Sequence, residues 1–320
     1  MVISTAALDT APQDPVIKSQ SQCSLIKAAL MKAYSKWEMT RTEKDELECV
    51  LGFKSATEPL LASNLKLRHA SVEILAPLVT ELRIASLDVP HRRFWHGSFL
   101  GPHINEREPN LDVVSKFKTD VDRLIRAARL NAIAVTEFQT LTNYPQHKRG
   151  CSFLTNAHAI MWADDPNFDA DNAEKTMRAS KRLKSALGAP TAELKPRDLS
   201  PGQLEYLAYY LLKAPVDGKY RERDPDNSSR WILSPTSVRP PLLLRLAEIL
   251  SHLELPDLVW GVGDGTEIRA RWKRELVAWN EIRCARDKQP LELGFRCGNM
   301  WDKLRKNPNN GSRFLLPLTI

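Results

Sequence analysis

Two apolar segments joined by a short basic turn set the strongest limit on how this chain folds. They are "NAIAVTEFQTL", residues 131–141, and "SFLTNAHAIMW", residues 152–162, with "TNYPQHKRG" between them. Each reads as a buried strand, and the short link makes the pair an antiparallel hairpin. Side chains alternate along a strand, so Asn156 and His158 share one face while Ala157 and Ala159 share the other. A buried polar group needs a partner. A core histidine finds one in a hydrogen bond; a ligand finds one in whatever else reaches that face. The first strand brings Glu137, which is costly to bury unless it is paired or coordinates a cation. A carboxylate, an imidazole and an amide oxygen together suit a divalent cation.

Around the hairpin the chain alternates elements. Residues 1–22 are polar and rich in Ser, Ala, Gln and Pro, which predicts a disordered tail. Helices are expected over 24–39 and 43–52, and over 60–86 with a kink or split at Pro77. Residues 23–88 form a helical N-terminal region on this reading. "RRFWHGSFLG" (92–101) reads as a strand, and 111–129 as an amphipathic helix with Val114, Phe117, Val121, Leu124, Ile125 and Ala128 on one face. A basic helix follows over 170–187. In "DLSPGQLEYLAYYLLKAP", Ser200 can cap a helix, Pro201 suits its first turn and Pro215 ends it. A polar loop is expected over 216–235, closing a central domain of 89–235. Residues 236–320 hold helices near 240–253 and 266–286 and a basic tail. The fold class is α+β: a central antiparallel sheet covered by helices, with helical additions at both ends.

The helix after the hairpin carries the second constellation. Tyr206 and Tyr210 stand four apart and Lys213 three further on, so all lie near one helix face, with Tyr209 beside them. Aromatic residues at this spacing also serve a core. Beside a bound metal, however, a phenol and a lysine are what phosphodiester transesterification by tyrosine requires. A phenol titrates near 10, so a neighbouring cation must favour the phenolate, and a metal would polarise the scissile phosphate.

The order of an acidic strand, then "NAHAIMW", then "YLAYYLLK" resembles the HUH endonucleases that initiate rolling-circle replication, in their phage and plasmid YxxxYxxK form. The resemblance spans about residues 92–215. It departs at Asn156, where the family has a histidine, at the small Ala157, and at Tyr209, where lysine is frequent. It implies a ferredoxin-like sheet and a metal-dependent, site-specific DNA nicking and joining enzyme. Such an enzyme passes through a 5′-phosphotyrosine on Tyr206 or Tyr210, assisted by Lys213. Glu137, His158 and Asn156 would hold Mg²⁺ or Mn²⁺, the amide oxygen suiting these hard ions. His96, His103 and His147 are substitutes for the missing imidazole. Single-stranded DNA at a replication origin is the implied partner, with phosphate contacts from Lys148, Arg149, Lys181, Arg182 and Lys184. A catalytically degenerate DNA-binding protein on the same fold is the alternative. An unrelated protein whose tyrosines are core is the third.

Composition narrows these classes. The net charge of +7 permits nucleic-acid binding without requiring it. The five cysteines are odd in number and scattered, which fits thiols in a reducing compartment. No apolar run reaches the roughly 20 residues of a membrane span, and the N-terminus lacks signal-peptide character; a cytoplasmic protein is expected. No GxxxxGK[ST] loop occurs, so any helicase must be a separate host protein. "GVGDG" (261–265) is too short for a nucleotide fingerprint.

Overall fold

A computed structural model describes residues 14–36, 40–54, 59–105, 109–144, 151–183, 190–214, 217–226, 231–238 and 240–286. In chain order the elements are α1 (Pro15–Lys36), α2 (Arg41–Val50), α3 (Leu65–Leu87), β1 (Arg93–Asn105), α4 (Asp112–Ala127), β2 (Asn131–Thr142), β3 (Cys151–Ala163), α5 (Ala170–Ala179), β4 (Ala192–Arg197), α6 (Gln203–Leu212), β5 (Asp217–Arg223), β6 (Trp231–Ser237), α7 (Pro240–Ser251), α8 (Leu255–Leu258), β7 (Val259–Val262) and α9 (Gly265–Arg286).

The hairpin forms as its alternation requires. β2 and β3 pair antiparallel without a break from Asn131↔Trp162 to Thr142↔Cys151. β1 lies antiparallel on the other edge of β3, with a register shift between Leu100 and His103, and β4 lies antiparallel outside β1. The segment β1-α4-β2-β3-α5-β4 therefore gives strands in the order β4-β1-β3-β2. The outer edge of β2 is shared: its first half takes β7 antiparallel, and its last residues take β5 parallel. β6 extends β5. The expectation of a purely antiparallel sheet is corrected here. The sheet is mixed, because the connection through α6 returns the chain beside β2 in the same direction.

The two sheet faces divide by residue parity. Ala132, Ala134, Ala157, Ala159 and Met161 sit with Trp95 and Phe99 under α4 and α5, through Phe117, Val121, Ile125 and Met177. The small alanines let those helices approach closely. Phe94, Ile133, Val135, Ile160 and Trp162 sit under α3 and α6, through Leu75, Leu204, Leu207 and Leu211. Each large side chain removed from water in this way contributes about 1.5–3 kcal/mol. The flanking helices share this second core, which also takes in Leu246, Leu258 and Trp272.

Several local expectations are corrected. Residues 15–22 are helical rather than disordered, because Pro15 starts α1 and the Asp14 carboxylate accepts from the Val16 amide at 2.8 Å; residues 1–13 lie outside the described residues. α3 runs unbroken through Pro77. Pro77 and Glu73 both face solvent, so the carbonyl that the proline leaves unbonded reaches water. α5 ends at Ala179, short of 187. Gly202, not Ser200, caps α6: its φ is 86°, and its amide donates to Glu205 Oε2 at 2.9 Å. β4, carrying Pro196, and the β5–β6 hairpin were not foreseen. Edge strands tolerate proline and charge and lack the apolar alternation that marks a strand.

Candidate active site on the α6 face of the sheet

Strand register assembles the site. Glu137 stands directly opposite Asn156, and His158 lies two residues further along the same face of β3. From the other side β1 places Ser98 opposite His158, with His96 diagonal to it. His158 bridges the strands: Nε2–H donates to Glu137 Oε1 at 3.1 Å, and Nδ1 lies 3.2 Å from the Ser98 hydroxyl, which can donate to it. His96 stacks on His158 with ring centroids 5.3 Å apart. α6 crosses above and sets the Tyr210 ring edge-on against both imidazoles, at 5.1 Å from His96 and 4.9 Å from His158. Lys213, at the C-terminal end of α6, is buried with its ammonium 4.4 Å from the Tyr210 ring centroid. Glu137, His158, Asn156, Tyr210 and Lys213 are thus brought together.

Charge explains how the carboxylate survives there. Burial alone would raise the Glu137 pKa. Lys213, His158 with its hydrogen bond, and Arg68 outweigh burial and bring it down to about 2. Arg68 is a buried guanidinium on α3, held by the Ala62 carbonyl at 2.6 Å and the Lys213 carbonyl at 3.3 Å. Burial drops its pKa to about 10, and Glu137 opposes that fall. Burial also holds His96 well below the ordinary imidazole range, reinforced by His158, Arg197 and Lys195. His96 is therefore a neutral donor at pH 7.

Among the described residues, Glu137 Oε2, Asn156 Oδ1 and His96 Nε2 on this face are buried without a hydrogen-bond partner. Each could ligate a cation. His158 Nε2 and Glu137 Oε1 are already joined by a hydrogen bond at 3.1 Å, so a cation would have to displace that proton to use either atom. Among the described residues no three His, Cys, Asp or Glu side chains form a ready-made metal cage. A cation here would depend on the Asn156 amide or on His96 moving to join the pair. Comparison adds nothing to this geometry. No family model, curated protein or solved structure matches the chain.

Other sequence candidates lie elsewhere. Tyr206 turns toward α1, where Lys18 Nζ donates to its hydroxyl at 2.7 Å. Tyr209 is buried and packs against the Tyr206 ring at 5.7 Å. His103 stands edge-on to Tyr144 at 4.9 Å. Lys181 and Arg182 follow α5, whose layer covers the opposite sheet face. Arg182 pairs with Asp120 at 3.4 Å. Both therefore lie on the other side of the sheet from His158. His147, Lys148, Arg149 and Lys184 lie outside the described residues. Arg68 and Ser98 were missed. A lone arginine in the apolar run "LKLRHASVEIL" needs a buried partner. The parity of "WHGS" puts Ser98 on the face of His96.

Proposed function

We propose that this chain is a metal-dependent, site-specific single-strand DNA endonuclease and ligase of the HUH, rolling-circle initiator kind, with Tyr210 as its nucleophile. The observation that carries the reading is the convergence of Tyr210, His96 and His158 over the ionised Glu137, with Lys213 against the tyrosine ring. A β-α-β-β-α-β segment with strand order β4-β1-β3-β2 supports the ferredoxin-like architecture that this reading requires. His158 and Glu137 would hold Mg²⁺ or Mn²⁺, with Asn156 and His96 as further donors. Bound there, the ion would neutralise charge on the scissile phosphate. Lys213 lowers the cost of forming the Tyr210 phenolate. The phenolate oxygen bonds to phosphorus as the bond from phosphorus to the 3′-oxygen breaks. The proton lost by the phenol is balanced by one gained on that oxygen. The phosphotyrosine conserves the bond for rejoining. Tyr206, held by Lys18, would act only after α1 releases it. DNA replication of a plasmid, phage or mobile element, with a host helicase, is the setting this chemistry fits.

The test is incubation with circular single-stranded DNA and Mn²⁺, then a denaturing gel and mass spectrometry of the adduct peptide. Tyr210→Phe should abolish the adduct and Tyr206→Phe should keep it. An adduct that persists in Tyr210→Phe overturns the assignment.

A specific observation favours a second reading, a DNA-binding protein on the same fold that does not cleave. Both ring nitrogens of His158 have partners, and Lys213 and Arg68 already balance Glu137. The ammonium then does what the metal would. A wild type that forms no adduct with either Mg²⁺ or Mn²⁺ but binds single strands selects this reading.

A further inference from the structure

Beyond the site, the same sheet face continues onto β5 and β6. Leu141 lies four residues after Glu137 and shares its face, and Leu141 pairs in parallel register with Lys219. Lys219, Arg221 and Arg223 therefore project on the side of Glu137. Across from Arg221 and Arg223 stand Leu233 and Trp231. The Arg221 guanidinium lies 5.3 Å from the Tyr144 ring centroid and 4.3 Å from that of Trp231. Arg223 lies 4.0 Å from Trp231. Tyr144 in turn meets the His103 ring, and His103 pairs with Leu154, two residues before Asn156. A contiguous run, His103-Tyr144-Arg221-Trp231-Arg223, leads from the site to the outermost strand. Glu222 projects from the other face, where it accepts from the Ser234 hydroxyl.

We propose that this run is a stacking track for single-stranded DNA entering or leaving the site. Successive bases would take the place on the Tyr144 and Trp231 rings that the Arg221 and Arg223 guanidiniums now hold, and the displaced guanidiniums would turn to the phosphates between them. That combination suits a flexible single strand, whose bases are free to stack; a duplex presents only its phosphates to such a surface. The choice of DNA as occupant rests on the endonuclease reading; the stacking itself does not.

The experiment is fluorescence anisotropy of a labelled oligo(dT) with the full chain in EDTA, across a salt series. Trp231→Ala should weaken binding at least about tenfold, and Trp231→Phe should recover most of the loss. Arg221→Ala should flatten the dependence of log K on log salt by about one unit. Trp231 stands half-exposed on an edge strand, and circular dichroism checks that its variants fold. The track is overturned by any of three results: Trp231→Ala binding within about twofold of wild type, Phe behaving like Ala, or an equal loss toward a duplex of the same length. Tighter binding to oligo(rU) overturns the choice of DNA. Because EDTA removes divalent metal, binding is read apart from cleavage. A wild type that makes no adduct, yet loses oligo(dT) with Trp231→Ala, sinks the endonuclease reading and leaves the track standing. The reverse pair of results sinks the track alone.

Discussion

Glu137 concentrates the chemistry of the site in one side chain. Its folded pKa of about 2 lies below the ordinary glutamate value of about 4.3. As pH falls, the unfolded chain binds the proton first. The stability that Glu137 contributes is therefore complete above about pH 4.3 and is lost as pH drops toward 2. Urea midpoints of the metal-free protein should fall more steeply with acid in the wild type than in Glu137→Gln, where other depressed carboxyls such as Glu205 leave a smaller slope. Equal slopes would refute the pairing with Lys213, His158 and Arg68. At pH 7 the same variant should cost about 3–5 kcal/mol, because it leaves two buried cations without their anion. His96 acts at higher pH. Its folded pKa is depressed, so metal-free stability should begin to fall below about pH 6.5. The fall should be smaller in His96→Gln, with His103, also depressed by burial, supplying the remainder.

Glycine and proline set what the elements near the site tolerate. A Cβ on Gly265, at the start of α9, would run into the Ala132 carbonyl oxygen on β2. The "GVGDG" glycines thus let α9 lie against the strand that carries Glu137. Gly265→Ala should destabilise by more than about 2 kcal/mol, read as a fall in thermal midpoint, with DNA binding lost in parallel. Pro77 is the opposite case. α3 already follows a regular path through it. Pro77→Ala should restore a helical hydrogen bond to Glu73 and raise stability by about 1 kcal/mol, the gain in propensity being partly offset by a freer unfolded chain. An unchanged or lowered thermal midpoint would show that the proline does structural work that its exposed position hides.

Across the whole molecule the sheet separates two surfaces. Lys181 and Arg182 lie with α5 on one side; the histidines, Tyr210 and the β5–β6 arginines lie on the other. The proposed DNA site lies on the second side, and substitution tells the two sides apart. Lys181→Ala with Arg182→Ala should change oligo(dT) affinity by less than about twofold, whereas Arg221→Ala with Arg223→Ala should reduce it strongly and flatten the salt dependence. A larger loss from the first pair would place the DNA on the wrong face for this site. Among the described residues no helix is long and apolar enough to cross a membrane.

The central hairpin, the helix that carries Tyr210 and the shared face of Glu137, Asn156 and His158 were legible in the sequence, because each follows from a local period: two in a strand, 3.6 in a helix. The mixed pairing of β5, the short strand β4 and the separation of Tyr206 from Tyr210 were not. Tyr206 and Tyr210 share a helix face on paper, yet one meets Lys18 of α1 and the other meets His96 of β1. Arg68 and Glu137 are 69 positions apart in sequence and interact in the core. Local periodicity says which way a side chain points along its own element. Which distant element waits there is decided only when the two cores close around the sheet.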